Sequence, residues 1–289
     1  MSESPVLAVI GGSGLYDFAA LTDKQTLDID TPFGKPSTPI VIGSLSGKRV
    51  AFLARRGIGH HIMTHEINNR ANIYALKSLG VTRILGISAC GSLRLDYAPG
   101  HLIVPDQLVD FTRGRQNTFF GDGLVVHIGS ADPFCKDLSA HAYRALAATS
   151  ATVYDSGTLI TIAGPRFSTK AESHLFRAWG MSIIGMTTSP EAFLAREAEI
   201  CYATMAHVTD YDVWQSSEEP VNVEMVIRTM NTNTETIQQA IANLVKDLPE
   251  EHDCDCDQAL EKAIITRPDR ISPEARQKVS LLVDKYLAP

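Results

Sequence analysis

Residues 6–14 have the sequence Val-Leu-Ala-Val-Ile-Gly-Gly-Ser-Gly, in which a compact apolar run ends in a glycine-rich turn. An unbroken run of this kind is typical of a strand that is buried on both faces of a sheet. Similar runs alternate with segments of helical periodicity along most of the chain. The alternation predicts an α/β fold: a single domain with a central mixed β-sheet flanked by α-helices.

The predicted elements follow from these two periodicities. Strands are expected at residues 6–10, 39–42, 49–53, 83–88, 101–104, 158–162, 182–185 and 200–208. Helices are expected at residues 67–79, 139–148, 170–179, 191–197, 223–246 and 272–286. We expect residues 1–289 to form one domain, in which residues 247–289 are a C-terminal helical extension that starts with a solvated acidic stretch.

Composition excludes several classes of protein. The net charge is -7 with 20% charged residues, which argues against nucleic acid as a partner because phosphate-backbone binding needs an excess of Lys and Arg. Every apolar run is interrupted well before the roughly 18 residues that a membrane span requires. The amino terminus lacks the basic start and long apolar stretch of a secretory signal. A cytoplasmic protein is therefore expected, with no membrane partner.

The five cysteines fit a reducing compartment. Cys90, Cys135 and Cys201 each stand alone in the sequence and are predicted to be reduced packing residues. Cys254 and Cys256 form a Cys-Asp-Cys pair in the acidic segment, and we expect a surface thiol pair that can oxidise but is not catalytic. The histidines lack the spacing of a zinc motif, so no metal is expected.

Loops at the ends of strands are where ligands bind in open α/β sheets. The turn that contains Ser13 follows the first strand, and its backbone amides favour a bound phosphate or an ordinary tight turn about equally. Arg55 and Arg56 follow the strand at 49–53. Guanidinium groups match phosphate oxygens, but an isolated pair of this kind more often forms a structural ion pair or lies on a solvated surface.

Two further loops carry groups suited to a purine ring. Phe167 lies in a loop whose following helix is capped at Ser168 or Thr169, and an exposed aromatic side chain can stack on a base. Asp210 and Asp212 follow the strand at 200–208, and on an extended segment both point to the same side. Held together in a cleft, such carboxylates raise one pKa and supply a proton donor and an acceptor; the alternative is a solvent-facing turn.

In this order the loops resemble the 5'-methylthioadenosine phosphorylases of the trimeric purine nucleoside phosphorylase family. The matching segments are Ile10–Leu15, Asp30–Ser37, Ser88–Arg94, Gly164–Ser168, Met186–Glu191 and Ile200–Trp214. One position departs from the family pattern, because Arg56 stands where the family usually has His. The substitution keeps a phosphate donor but loses a group that titrates near neutral pH.

The resemblance implies a role for each matching residue. Phosphate is assigned to Ser13, Arg55, Arg56, Ser88, Thr187 and the backbone amide of Ala89. The nucleoside is assigned to Met186 at the ribose, Phe167 and Ser168 near the base, Asp210 at purine N7 as the catalytic residue, and Asp212 at the 6-amino group. Val223 and Val226 are expected at the methylthio group, and His127 is expected to reach the site of a neighbouring subunit.

The implied activity is a pentosyl transfer. Methylthioadenosine and inorganic phosphate, as co-substrate, give adenine and 5-methylthioribose 1-phosphate in purine and methionine salvage, with no cofactor and as a homotrimer. An alternative within the class is a 5'-methylthioinosine or general purine nucleoside phosphorylase, which the two aspartates disfavour. Alternatives outside the class are a hydrolytic nucleosidase and a non-catalytic nucleoside-binding or metal-binding module built on the histidines and on Cys254 and Cys256.

Overall fold

The computed structural model describes residues 4–12, 18–215 and 223–287, with the side chains of residues 223, 225–228 and 230–232 outside that description. The strands are β1 Leu7–Gly11, β2 Thr22–Leu27, β3 Ile40–Leu45, β4 Lys48–Ala54, β5 Arg83–Ser92, β6 Leu102–Ile103, β7 Gln107–Phe111, β8 Val153–Tyr154, β9 Thr158–Ile162, β10 Ile183–Gly185 and β11 Cys201–Asp210. The α-helices are α1 Asn69–Ser78, α2 Lys136–Ala147, α3 Lys170–Ala178, α4 Thr188–Glu197, α5 Val223–Asp247, α6 Pro273–Lys278 and α7 Ser280–Val283.

All the described strands join one mixed sheet. The main path runs β2-β3-β4-β1-β5-β10-β9-β7, while β11 pairs with β5 and β6, and β6 pairs with β8. At the centre, β1 is parallel to β4 and β5, and β11 is parallel to β5. The carboxyl ends of β1, β4, β5 and β11 consequently meet at one edge, which is where a ligand site is expected. The predicted fold class is confirmed.

The sheet is buried on both faces because its central strands are largely apolar. In β1, Ala8 and Ile10 pack on one face while Leu7 and Val9 pack on the other. One face is covered by α1, α4 and the C-terminal segment, and the other by α2 and α5. Burial of each Leu, Ile or Val side chain stabilises the folded state by roughly 1.5–3 kcal/mol. The strands that carry the site are therefore held in a well-packed layered core.

Strand β2 was not predicted, and its composition explains why. Its sequence Thr-Asp-Lys-Gln-Thr-Leu is polar and its first five residues are exposed, so it carries no buried apolar pattern. Among the described strands it lies at the edge of the sheet and pairs with β3, and the pairing rests on backbone hydrogen bonds. Strands β7 and β8 were missed as well; the second spans only two residues.

The C-terminal segment packs on the core as several short helical pieces. The single helix predicted at 272–286 is wrong, because α6 ends before Val279, whose φ of -119° lies outside the helical range, and α7 starts directly after it. Leu260 and Val283 of this segment are fully buried against the face that α1 and α4 cover. Among the described residues, no helix combines the length and apolar character that crossing a membrane requires.

The cysteines differ from the prediction. The Cys-Asp-Cys pair is not a surface pair, because Cys256 is buried and Cys254 is half-buried. Cys135 and Cys201 are buried as predicted but do not stand alone, since their sulfur atoms lie in one cluster with those of Cys254 and Cys256. The cluster forms because chain segments distant in sequence meet at the amino end of β11, a contact that no local pattern reveals.

Candidate active site

A cavity of about 470 Å³ opens at the edge where β1, β4, β5 and β11 end. Its volume lies within the range of small-molecule sites. Ten of the sequence-predicted site residues line it: Arg55, Arg56, Ser88, Ala89, Phe167, Ser168, Met186, Thr187, Asp210 and Asp212. The fold therefore brings together residues that the sequence places in five separate loops.

Arg55 lies at the base of this cavity in a buried ion pair. Its Nε and Nη2 donate to the two carboxylate oxygens of Glu191 at 2.6 and 2.8 Å, and Nη1 and Nη2 donate to the carbonyl oxygens of Ile87 and Ile10. The side chains of Arg55 and Glu191 are 3% and 0% exposed. Of the interpretations left open by the sequence, the structural ion pair describes this bonding, and it ties the end of β1 and the middle of β5 to α4.

Arg56 presents a cation to the cavity. Its guanidinium donates to Thr64 Oγ1 at 2.8 Å and contacts His60 Nε2 at 3.1 Å. Among the described residues, no carboxylate hydrogen-bonds to it. Burial, together with the charges of Arg55 and Arg115, lowers the pKa of Arg56 to about 10. A partly desolvated guanidinium beside two other cations is stabilised by an anion, so this end of the cavity suits phosphate.

Hydroxyl and amide donors lie at the same end of the cavity. Ser88 Oγ lies 3.1 Å from Thr187 Oγ1, which joins the loop after β10 to β5. The loop is held from behind by Arg115, which donates to the carbonyl oxygens of Met186 and Ser189 at 2.8 and 2.7 Å. Because the backbone is fixed by these bonds, Ser88 and Thr187 are positioned before any ligand arrives.

Asp210 is the last residue of β11 and is 6% exposed. Its Oδ2 accepts from Thr209 Oγ1 at 2.6 Å and its Oδ1 accepts from the backbone N–H of Asp212 at 2.7 Å. Burial is the main reason that the pKa of Asp210 rises to about 6; the charge of Asp212 adds a smaller part. A Cβ on Gly91 would lie 2.9 Å from Oδ1, so glycine there makes room for the carboxyl group.

Asp212 does not lie on an extended strand, which corrects the sequence prediction. Its φ is +50°, in the left-handed region, and the N–H bond to Asp210 closes a turn. The turn nevertheless brings both carboxyl groups to the cavity wall. Oδ2 of Asp212 is buried and has no hydrogen-bond partner among the described residues, and burial raises the pKa of this group. Oδ2 is an acceptor that a ligand N–H can satisfy.

The remaining walls are apolar or neutral. Phe167 is 39% exposed at the cavity mouth, whereas Ser168 is 9% exposed. The predicted cap of the helix after this loop is confirmed at Thr169, which forms a capping box with Glu172. His207 of β11 also lines the cavity, and burial lowers its pKa to about 4, so the imidazole is neutral. A flat, uncharged ligand fits between such walls.

Four predicted site residues are not placed in the cavity. Ser13 lies outside the described residues. Val223 and Val226 belong to α5, but their side chains lie outside the description. His127 is exposed and does not line the cavity of its own chain; its backbone N–H donates to the carbonyl oxygen of Ala263 at 2.9 Å.

The sequence did not reveal the residues whose hydrogen bonds position the side chains and loops that line the cavity. Glu191 ends one of the segments that carry the resemblance, but its partner Arg55 lies 136 positions away in the sequence. Arg115 lies in a loop with no recognisable pattern. Thr209 directly precedes Asp210, and the polar residue at the end of an apolar strand was the one local signal available. Long-range pairing of this kind needs the fold itself.

Comparisons with known proteins give one consistent result. The family model "Phosphorylase superfamily" matches residues 6–246. The S-methyl-5'-thioadenosine phosphorylase of Geobacter sulfurreducens is 48% identical over 283 residues, which are 98% of this chain and 99% of that protein. The crystal structure of a methylthioadenosine phosphorylase from an antarctic soil metagenomic library superposes with a TM-score of 0.91 at 42% identity, covering 97% of this chain and 99% of that one. A Schistosoma mansoni adenosine/methylthioadenosine phosphorylase mutant, in complex with methylthioadenosine, superposes at 0.77 with 36% identity over 83% of this chain and 90% of that one.

Proposed function

The chain belongs to the phosphorylase superfamily, and from that premise we propose that it catalyses the phosphorolysis of 5'-methylthioadenosine. The products are adenine and 5-methylthioribose 1-phosphate, and the enzyme is a pentosyltransferase. The sequence resemblance to the methylthioadenosine phosphorylases is confirmed by relatives that match nearly the whole chain.

One observation carries the assignment of the reaction to this site. Arg56, to which no carboxylate of the described residues hydrogen-bonds, lines the same cavity as the two buried carboxyl groups of Asp210 and Asp212. The cation end suits a phosphate, and the acidic end suits a base that bears both an acceptor nitrogen and an amino group. A cavity with these two ends can hold both substrates of a phosphorolysis with the sugar between them.

The chemistry requires charge to be stabilised at both ends. As the bond from C1' to N9 breaks, its electron pair moves to the purine and the ribose becomes cation-like. Protonated Asp210 donates to N7 and neutralises the purine, while a phosphate oxygen attacks C1' and forms the new bond. Asp210 then recovers a proton from solvent. The pKa of about 6 keeps part of Asp210 protonated near neutral pH, where an ordinary aspartate is almost fully ionised.

Phosphate is bound in this proposal by the Arg56 guanidinium, the hydroxyl groups of Ser88 and Thr187, and the backbone amide of Ala89. Ser13, which the sequence resemblance adds to the set, lies outside the described residues. Arg55 is also part of the predicted set; in this structure its guanidinium is engaged by Glu191, so it places the strand ends against which phosphate binds. No cofactor takes part.

Adenine rather than a 6-oxopurine is the base, because Oδ2 of Asp212, which has no hydrogen-bond partner in the part of the chain that the structure describes, can accept from a 6-amino group. Phe167 and Ser168 line the base, and Met186 lies at the ribose. The side chains of Val223 and Val226, predicted at the methylthio group, lie outside the description, but Thr234 and Ile237 of the same helix line the cavity.

The active assembly in this proposal is a cytoplasmic homotrimer in which His127 reaches the sugar of a neighbouring subunit. Its exposure and its position outside its own cavity support that role. Light scattering under assay conditions tests the assembly, with a trimer expected; a monomer with full activity would contradict it.

Release of adenine by the purified protein tests the reaction. We expect adenine from methylthioadenosine only when phosphate is present, and much slower base release from 5'-methylthioinosine. Release at the same rate in phosphate-free buffer would identify a hydrolytic nucleosidase instead. Faster phosphorolysis of methylthioinosine would show that Asp212 does not select the amino group.

A further inference from the structure

Four cysteine sulfur atoms lie together at the end of the sheet opposite the cavity. The sulfur atoms of Cys135, Cys201, Cys254 and Cys256 are all within 4.8 Å of one another, and all four cysteines are free thiols. Three of them are buried and Cys254 is half-buried. They come from three separate segments: the N-cap of α2, the first residue of β11, and the segment after α5.

The backbone fixes these residues in place. The N–H of Cys135 donates to the carbonyl oxygen of Tyr202 at 2.8 Å, and the N–H of Cys201 donates to the carbonyl oxygen of Thr82 at 2.9 Å. Cys256 begins a short 3₁₀ turn, Cys256–Gln258. Three anchored segments that converge on one point form a preorganised set of ligands rather than a chance approach of flexible side chains.

Hydrogen-bond donors also face the sulfur atoms. The backbone N–H of Leu138 lies 3.5 Å from the sulfur of Cys135, and Nη1 of Arg196 lies 3.4 Å from the sulfur of Cys256. Such outer donors orient sulfur ligands and stabilise their negative charge. Neutral packing cysteines do not need a guanidinium directed at them.

We propose that Cys135, Cys201, Cys254 and Cys256 bind one zinc ion in a closed tetrathiolate site. A zinc–sulfur bond of about 2.3 Å in a tetrahedron places the sulfur atoms roughly 3.8 Å apart. The sulfur atoms of Cys201 and Cys254 lie 3.3 Å apart and all four lie within 4.8 Å of one another, which is compatible with that spacing. We infer zinc because four thiolate ligands in tetrahedral geometry bind it in preference to harder cations.

Binding of zinc releases the four thiol protons and leaves a site with two net negative charges, which the guanidinium of Arg196 partly offsets. No atom changes its oxidation state in this step. All four positions around the ion are filled by protein sulfur, so no position is open for water or substrate. This is the arrangement of a structural rather than a catalytic zinc site.

The position in the fold gives the ion its role. Strand β11 carries Cys201 at its first residue and Asp210 at its last, so the two sites lie about 30 Å apart at roughly 3.3 Å per residue. The ion joins the segment after α5 to α2 and β11. It therefore stabilises the attachment of the C-terminal segment to the sheet without taking part in phosphorolysis.

Metal analysis of the full-length protein, purified without chelator or added zinc, tests the proposal. Elemental mass spectrometry is expected to find about one zinc per chain. Cobalt(II), supplied in place of zinc during growth, should give the absorption bands of a tetrahedral cobalt thiolate. Removal of the ion is expected to lower the melting temperature while leaving KM for methylthioadenosine unchanged, provided that the assay is run below the new melting temperature.

Variants give the matched comparison. The double substitution Cys254→Ser with Cys256→Ser should reduce bound zinc to background, whereas Cys90→Ala, which removes a buried cysteine outside the cluster, should keep it. Wild-type protein that holds no metal and takes up neither zinc nor cobalt would overturn the proposal. Two disulfides in place of four thiols, seen as the loss of hydrogen mass in the intact protein, would overturn it as well. Retention of zinc by the double variant would exclude this cluster as the site.

Discussion

Replacing Asp210 with Asn removes the proton donor while keeping the shape of the side chain. Asp210 now accepts from Thr209 Oγ1 at 2.6 Å and from the N–H of Asp212 at 2.7 Å. In the variant, the amide oxygen can still accept from Asp212, and the amide nitrogen can donate to the Thr209 hydroxyl. That hydroxyl has a second acceptor at hand, the carbonyl oxygen of Cys90 at 3.2 Å. The local structure therefore tolerates the change, and only the titratable proton is lost.

The expected cost follows from the role of that proton. Loss of one preorganised transition-state contact in a buried site costs about 3 kcal/mol, which corresponds to a decrease in kcat of roughly a hundredfold. A 6-oxopurine should be penalised less, because an Asn amide can donate to N7 or toward O6. The loss for methylthioadenosine should therefore exceed that for methylthioinosine.

Steady-state phosphorolysis of both nucleosides by wild type and Asp210→Asn provides the measurement. Asp96→Asn serves as the control, since this carboxylate is exposed, pairs with Arg94 and lies outside the cavity, and no change in rate is expected. An equal loss of activity on both nucleosides would show that Asp210 does not distinguish between their bases. Unchanged activity on both would remove Asp210 from the site.

Three further predictions concern the cation end, the fold behind it and the pH profile. Arg56→Ala should raise KM for phosphate roughly ten- to hundredfold, as expected for a lost hydrogen bond to a charged group, with little change in KM for the nucleoside; an unchanged phosphate KM would place the anion elsewhere. Glu191→Gln leaves the buried charge of Arg55 without its partner and should lower the free energy of unfolding by about 3–5 kcal/mol in urea titrations, whereas a loss below about 1 kcal/mol would contradict the importance of the ion pair. Because Asp210 acts in its protonated form and its pKa is about 6, kcat/KM for methylthioadenosine should fall as pH rises through that value, and the same limb should be absent in Asp210→Asn; an identical limb in the variant would assign it to another group.

The parts of the fold that the sequence predicts are those with a strong local pattern. Strand β9 was predicted with its observed bounds because its apolar run is bounded by polar residues and glycine. Strand β2 was not predicted because an exposed edge strand needs no apolar residue. The C-terminal helix was overextended because the apolar spacing continues across Val279 while the backbone does not.

The site residues also fall into those that a local sequence signal predicts and those that only the fold brings together. Asp210 and Arg56 were found because unusual polar residues follow apolar strands, a local signal. The bonding of Arg55 to Glu191 was not found, since it joins residues 136 positions apart. The raised pKa of Asp210 was expected from the neighbouring carboxylate, but burial is the larger cause, and burial is a property of the folded chain. The cysteine cluster was missed for the same reason as the ion pair.

Phosphorus-31 NMR of a reaction that contains the protein, methylthioadenosine and phosphate tests the central claim most directly. The account predicts that inorganic phosphate is consumed and that a sugar phosphate monoester resonance grows in equal amount with the adenine released. Adenine formed together with free 5-methylthioribose, while the phosphate signal stays constant, would contradict phosphorolysis at this site.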